Sequence, residues 1–152
     1  MNLVFLDVDG VLNSINHLVE YSHKVGKMGH SGINYPFDPN AMLSLQTFIK
    51  STNSKIVISS VWRLFEGHRI RLLEELSKYD LDSQVIGWTP QLPGESRGRE
   101  IASFLESFES EADSFIIIDD SSDMEELLPY LIQTEAEIGL TEAHVFDALE
   151  RM

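Results

Sequence analysis

The sequence predicts an α/β protein, one three-layer domain over residues 1–152 built on a central, mainly parallel five-stranded sheet. Three observations lead there. Five short apolar runs alternate with stretches of helical spacing, the pattern of strands joined by crossover helices. The first run ends directly in Asp7-Val8-Asp9-Gly10, as a buried strand does when it presents polar groups at its carboxyl end. And 152 residues bury a core without staples, which this chain lacks, having no cysteine for disulfides or thiolate metal sites.

The strands are read at residues 3–6, 56–58, 85–88, 115–118 and 130–132. Asp38 followed by Pro39 is an N-cap with proline in the first turn, and Met42, Leu45, Phe48 and Ile49 keep helical spacing to about residue 50. A second helix is expected over about 66–79 with Ile70, Leu73 and Leu76 inward. A third is expected over about 98–108 with Ile101, Phe104, Leu105 and Phe108 inward. Thr141-Glu142 opens a last helix whose Val145, Phe146 and Leu149 read as core. Residues 14–37 break the pattern: they hold Gly26, Gly29, Gly32 and Pro36 among His17, His23, His30, Lys24 and Lys27, with Glu20 the only acid. We read them as a locally basic flap after the first strand, covering substrate with Lys24 and Lys27 as contacts. Its histidines lack the ligand spacing of a zinc site.

The net charge of −14 is segregated. Residues 1–99 carry ten acids and ten bases; residues 100–152 carry fifteen acids and Arg151 alone. Such a surface repels polyanions on one side only, and it reads first as a solvated helical surface, so that no stable protein partner is inferred. Met1 runs into the first strand with no basic leader, and no stretch is long enough to span a bilayer, which predicts a cytoplasmic protein without membrane contact.

Residues two apart in an extended backbone share a side, so Asp7 and Asp9 come close together. Two such carboxylates need either a hard cation such as Mg²⁺ or a shared proton that divides them into nucleophile and general acid. Three further clusters fall where the other pieces of such a site belong. Residues 56–58 end at Ser59-Ser60-Val61-Trp62-Arg63, hydroxyls and a guanidinium suited to phosphoryl oxygens. Arg97-Gly98-Arg99-Glu100-Ile101 opens the third helix, where cations need a bound anion or a neighbouring acid. Residues 115–118 end at Asp119-Asp120-Ser121-Ser122-Asp123.

In this order the clusters resemble the motifs of the haloacid dehalogenase-like (HAD) superfamily of aspartate-nucleophile phosphohydrolases. Residues 5–13 look like its first motif, Ser59 its second, Arg97 its third in place of the usual lysine, and Asp119-Asp120 its fourth. Ser59-Ser60-Val61-Trp62-Arg63, Arg97-Gly98-Arg99-Glu100-Ile101, Asp119-Asp120-Ser121-Ser122-Asp123 and Gly139-Leu140-Thr141 resemble the branch associated with nucleic-acid repair. The resemblance implies a Rossmann-like domain with a short flap and no large cap, open to bulky substrates.

It also implies roles. Asp7 would attack phosphorus and Asp9 would act as general acid and base. Mg²⁺ would be held by Asp7, the Asp9 backbone carbonyl, Asp119 and Asp120. Ser59, with Ser60 as its alternate, and Arg97 would stabilise the phosphoryl group, and Arg63 would help bind it. The expected partner is a phosphorylated substrate, a nucleic-acid end or a small metabolite. The rival from another class is an idle Mg²⁺-binding interaction module.

Overall fold

A computed structural model describes residues 1–26 and 35–152. The strands β1 (Asn2–Leu6), β2 (Lys55–Ile58), β3 (Val85–Trp88), β4 (Ser114–Asp119) and β5 (Leu131–Gln133) form one sheet in the order β3-β2-β1-β4-β5, every pair parallel. The fifth starts one residue later than expected, because Tyr130 closes a 3₁₀ turn at Glu125–Tyr130.

Alternation along the central strands assigns the two faces. Val4 and Leu6 of β1, with Ile56, Ile58, Ile116 and Ile118, look toward α2 (Pro39–Thr52), α3 (Glu66–Ser77) and α5 (Glu142–Arg151), and Met42, Leu45, Phe48, Leu72, Leu76 and Val145 fill that layer. Leu3, Phe5, Val57 and Ile117 look the other way, onto Ile101 and Phe104 of α4 (Arg97–Ser107). Residues buried on both faces explain why the strands read as continuous apolar runs. Crossovers α2 and α3 lie on one face and α4 on the other, so the strand order turns back at β1, as right-handed connections require.

Local signals account for the helix ends. Asp38 caps α2 by accepting from Asn40 N–H at 3.0 Å, with Pro39 in its first turn. Thr141 and His144 make a reciprocal cap on α5. Within the basic segment after β1, the chain forms a helix that the sequence reading did not foresee, α1 (Ile15–Val25). Ser14 caps it by accepting from His17 N–H at 3.1 Å, and Gly26 ends it in the left-handed region. It buries no residue, although Ile15, Leu18, Val19 and Val25 keep a helical spacing along one side. His17 Nε2 lies 2.7 Å from the Pro36 carbonyl and ties the helix to the chain returning toward α2. Three side chains expected inside lie at the surface: Ile70 on α3, and Phe146 and Leu149 on α5. No helix among the described residues is long and apolar enough to cross a membrane.

Candidate active site

The turning point of the sheet positions the acids. Ligands of open parallel sheets settle beyond the carboxyl ends of strands whose connections diverge, which here means β1 and β4. Asp7 is the first residue beyond β1, and its N–H continues the ladder to the Ile118 carbonyl at 3.0 Å; Asp119 ends β4. Carboxylate oxygens of Asp7, Asp119 and Asp120 lie within 4.8 Å of one another, the first two residues buried and the third half-buried. Asp120 approaches because residue 10 is glycine: it holds φ 80°, and a Cβ there would stand 2.4 Å from Asp120 Oδ2.

Arg97 supplies the only cation bonded to this group among the described residues. Its Nη1 stands 3.0 Å from Asp7 Oδ1 and 2.6 Å from Asp119 Oδ2. One guanidinium does not balance three acids. Burial, with Asp119 adding to it and Arg97 opposing it, pushes the Asp7 carboxyl up to about 7. Burial also raises Asp119, against the pull of Arg97 and of the Ser121 N–H that donates to Asp119 Oδ1 at 2.9 Å. For Arg97 burial works against the charge, but Asp7 and Asp119 outweigh it and raise its pKa. An all-carboxylate donor set short of positive charge fits a hard divalent cation such as Mg²⁺. The Asp9 carboxylate stands outside the cluster. It is exposed, and its Oδ2 accepts from the Trp62 indole Nε1 at 3.0 Å.

The serines separate cleanly. Ser59 is fully buried with its N–H on the Leu6 carbonyl at 3.0 Å, and its Oγ makes no hydrogen bond among the described residues. Buried hydroxyls are rarely left so, and one at a strand end beside an acid cluster suits an incoming oxygen. Ser60 Oγ is already engaged, accepting from Trp62 N–H at 3.2 Å to cap a 3₁₀ turn at Val61–Leu64.

Arg63 corrects the expectation of a phosphate clamp. Nε donates to the Thr89 carbonyl at 2.8 Å, Nη1 to the carbonyls of Ser59 at 3.2 Å and Ser60 at 2.8 Å, and Nη2 to the Pro90 carbonyl at 3.2 Å and Glu100 Oε2 at 2.7 Å. A guanidinium has five N–H groups, so none is left for a ligand. Arg63 instead braces the Ser59 turn, and Glu100, which also accepts from Leu92 N–H at 3.0 Å, joins that brace to the first turn of α4 that carries Arg97.

The start of α4 is likewise occupied by protein. Asp123 accepts from the N–H groups of Arg97 at 3.2 Å and Gly98 at 2.9 Å, and Ser96 Oγ accepts from Arg99 N–H at 3.0 Å. Of these, only the Asp123 carboxylate, through Oδ2, answers the macrodipole with charge; Gly98 N–H meets the Asp123 backbone carbonyl. The contact depends on glycine, since a Cβ on Gly98 would fall 2.1 Å from the Met124 carbonyl.

Two contributors escaped the sequence reading. Thr134, just past β5, donates through Oγ1 to the Gly10 carbonyl at 2.8 Å and through N–H to the Asp119 carbonyl at 3.0 Å, pinning the turn after β1 to the end of β4. No local pattern marks it. Glu100 stands inside the Arg97–Ile101 cluster, but its buried partner Arg63 is visible only in three dimensions. Lys24 lies exposed in the last turn of α1, where it suits the helix dipole, and among the described residues no ion pair joins it to the acids. Lys27 lies outside the described residues.

Residues 3–145 match the family described as the HAD domain in Swiss Army Knife RNA repair proteins. The chain belongs to that family. Comparison with curated proteins and with solved structures finds no significant match. The parallel sheet and the family match agree on a HAD-type domain.

Proposed function

We propose that this HAD domain is a Mg²⁺-dependent phosphomonoester hydrolase that works through an aspartyl-phosphate on Asp7, and that it removes terminal phosphates from nucleic-acid ends, 3′ before 5′. The observation that carries the reaction class is the Ser59 Oγ, buried without a hydrogen-bond partner among the described residues, at the strand end beside an acid cluster that Arg97 only partly neutralises. A phosphoryl oxygen answers the free hydroxyl, and a divalent cation bound with it answers the excess of acids. Asp7, Asp119, Asp120 and the Asp9 carbonyl would hold Mg²⁺. When bound, the ion screens the attacking carboxylate from the phosphate and steadies the charge that develops in transfer.

Asp7 attacks phosphorus and forms an acyl-phosphate as the ester oxygen leaves with a proton from Asp9. Water then attacks phosphorus, its proton passing to Asp9, so that inorganic phosphate departs and both acids are restored. The Trp62 N–H holds Asp9 Oδ2 as an acceptor, which leaves Oδ1 to carry the proton in each direction. Ser59 Oγ and the Nε and Nη2 groups of Arg97, which make no bond among the described residues, supply donors for the phosphoryl oxygens.

The family description, RNA repair, supports a nucleic-acid end as substrate. So does the short connection from β2 to α4, which holds only 3₁₀ turns, α3 and β3 and no separate cap domain. The test is hydrolysis of 3′-phosphorylated oligonucleotides, 5′-phosphorylated ones and small phosphate esters, each with Mg²⁺ and with chelator. The 3′-phosphorylated oligonucleotide is expected to have the highest kcat/KM, falling only modestly with salt because few phosphates are contacted. Higher kcat/KM for small esters would replace this reading with a metabolite phosphatase. Mg²⁺ binding without turnover of any substrate would replace it with an idle module.

A further inference from the structure

A hollow of about 620 Å³ lies between α2 and α5, bounded by the turn before α5, and shares no residue with the phosphate site. Four large apolar side chains around it are far from covered: Leu43 is 51% exposed, Ile138 48%, Phe146 65% and Leu149 40%. Phe146 and Leu149 are the positions of α5 that periodicity assigned to the core, and they face outward around this hollow instead. Grouped apolar surface of this kind on a folded domain marks an interaction site.

Charge decides what fits. Asp38 and Glu142 stand on the rim, and among the described residues no lysine or arginine lines the groove. A second copy of the chain would bring acidic rims together and set two chains of net charge −14 against each other. Nucleic acid and anionic lipid surfaces are disfavoured for the same reason. A hollow between two helices with aliphatic and aromatic walls is the receptor half of helix-in-groove recognition, which reads apolar side chains at i, i+3, i+4 and i+7. We propose that the α2/α5 groove docks an amphipathic helix of a protein partner that flanks its apolar stripe with lysine and arginine.

The probe is a synthetic helix of roughly 18 residues, about five turns, with leucine at i, i+3, i+4 and i+7 and lysine or arginine beside them. It is compared with a scrambled peptide of equal charge and with one carrying glutamate for every cation. Binding is measured to the full chain at about 0.15 M salt by calorimetry and by amide-shift mapping. The cationic amphipathic helix is expected to bind with shifts confined to α2, α5 and the turn at Ile138, and at least about tenfold more tightly than either control. The double variant Leu43→Ser/Phe146→Ser leaves the net charge unchanged and alters only exposed side chains, so its Tm should match the parent while affinity falls at least about tenfold. Absence of binding, equal binding of the scrambled peptide, or unchanged affinity in the double variant would overturn the proposal. So would sedimentation showing that the chain is itself a dimer which these substitutions disperse.

Discussion

The indole N–H of Trp62 donates to Asp9 Oδ2 at 3.0 Å, joining the turn after β2 to the turn after β1. Trp62 is buried, held edge-on by Phe37 and His68 with ring centroids at 5.4 and 4.9 Å, so the N–H is aimed by packing rather than by chance. An exposed carboxylate would otherwise sample many orientations. Trp62→Phe keeps the ring and removes the donor. We expect kcat to fall roughly tenfold to a hundredfold, the usual cost of losing an orienting partner, with KM little changed. Steady-state kinetics on the best substrate checks this, and an unchanged kcat would remove Trp62 from the machinery.

Asp7 gives a pH dependence of definite sign. Its folded-state pKa is raised from 3.8 to about 7, so the folded protein holds this proton more tightly than the unfolded chain does. The resulting stability is fully present below about pH 4 and is lost as pH rises through 7. Without metal, Tm should therefore fall over that window, and Asp7→Asn should be more stable than the parent at pH 8 by about 1 kcal/mol, or ~3 °C. The same variant should lose at least about a thousandfold in turnover. Calorimetric scans at pH 5 and pH 8 beside an activity assay test both halves.

Metal should reverse that trend. Mg²⁺ needs deprotonated carboxylates, so its stabilisation of the protein should be larger at pH 8 than at pH 5. Thermal shifts against Mg²⁺ concentration measure this, and Asp119→Ala should abolish the shift. Equal shifts at both pH values would point to binding elsewhere.

Ser59 and Ser60 should respond to alanine in opposite ways. Ser59 Oγ has no partner to lose among the described residues, so Ser59→Ala should leave Tm near that of the parent while kcat/KM falls about tenfold or more. Ser60 Oγ caps a 3₁₀ turn, so Ser60→Ala should cost about 1 kcal/mol of stability with a smaller kinetic effect. Chemical denaturation and kinetics on the pair separate the roles.

Arg63 and Glu100 should behave as one unit. Their side chains are 4% and 12% exposed, and removing either leaves a buried charge without its partner. Glu100→Gln or Arg63→Met should each cost about 3–5 kcal/mol, and the double variant less than the sum. Additive losses in a double-mutant cycle would show that the two act independently.

Local chemistry made much of this molecule legible in advance. The runs that became β1 to β4, the Asp38-Pro39 start of α2 and the strand-end acids Asp7 and Asp119 follow from burial on both faces of a parallel sheet and from capping, and each is written within a few neighbouring residues. The helix α1 was passed over although Ser14, Gly26 and the spacing of Ile15, Leu18, Val19 and Val25 signal it, because the glycines and Pro36 that follow read as one long loop. Sequence could nominate both Ser59 and Ser60, and Arg63 as a clamp. Only the tertiary structure decided that Ser60 is spent on a cap, that Arg63 donates all five of its N–H groups to protein, and that Thr134 pins Gly10 to Asp119. The reason is physical: residue type and spacing determine which groups a chain can offer, but whether a donor is free depends on partners from distant segments. Arg63 and Glu100 are 37 residues apart, and Thr134 and Gly10 are 124 apart. The same holds for Phe146 and Leu149, whose periodicity matches a buried face but which no other element in the described fold covers.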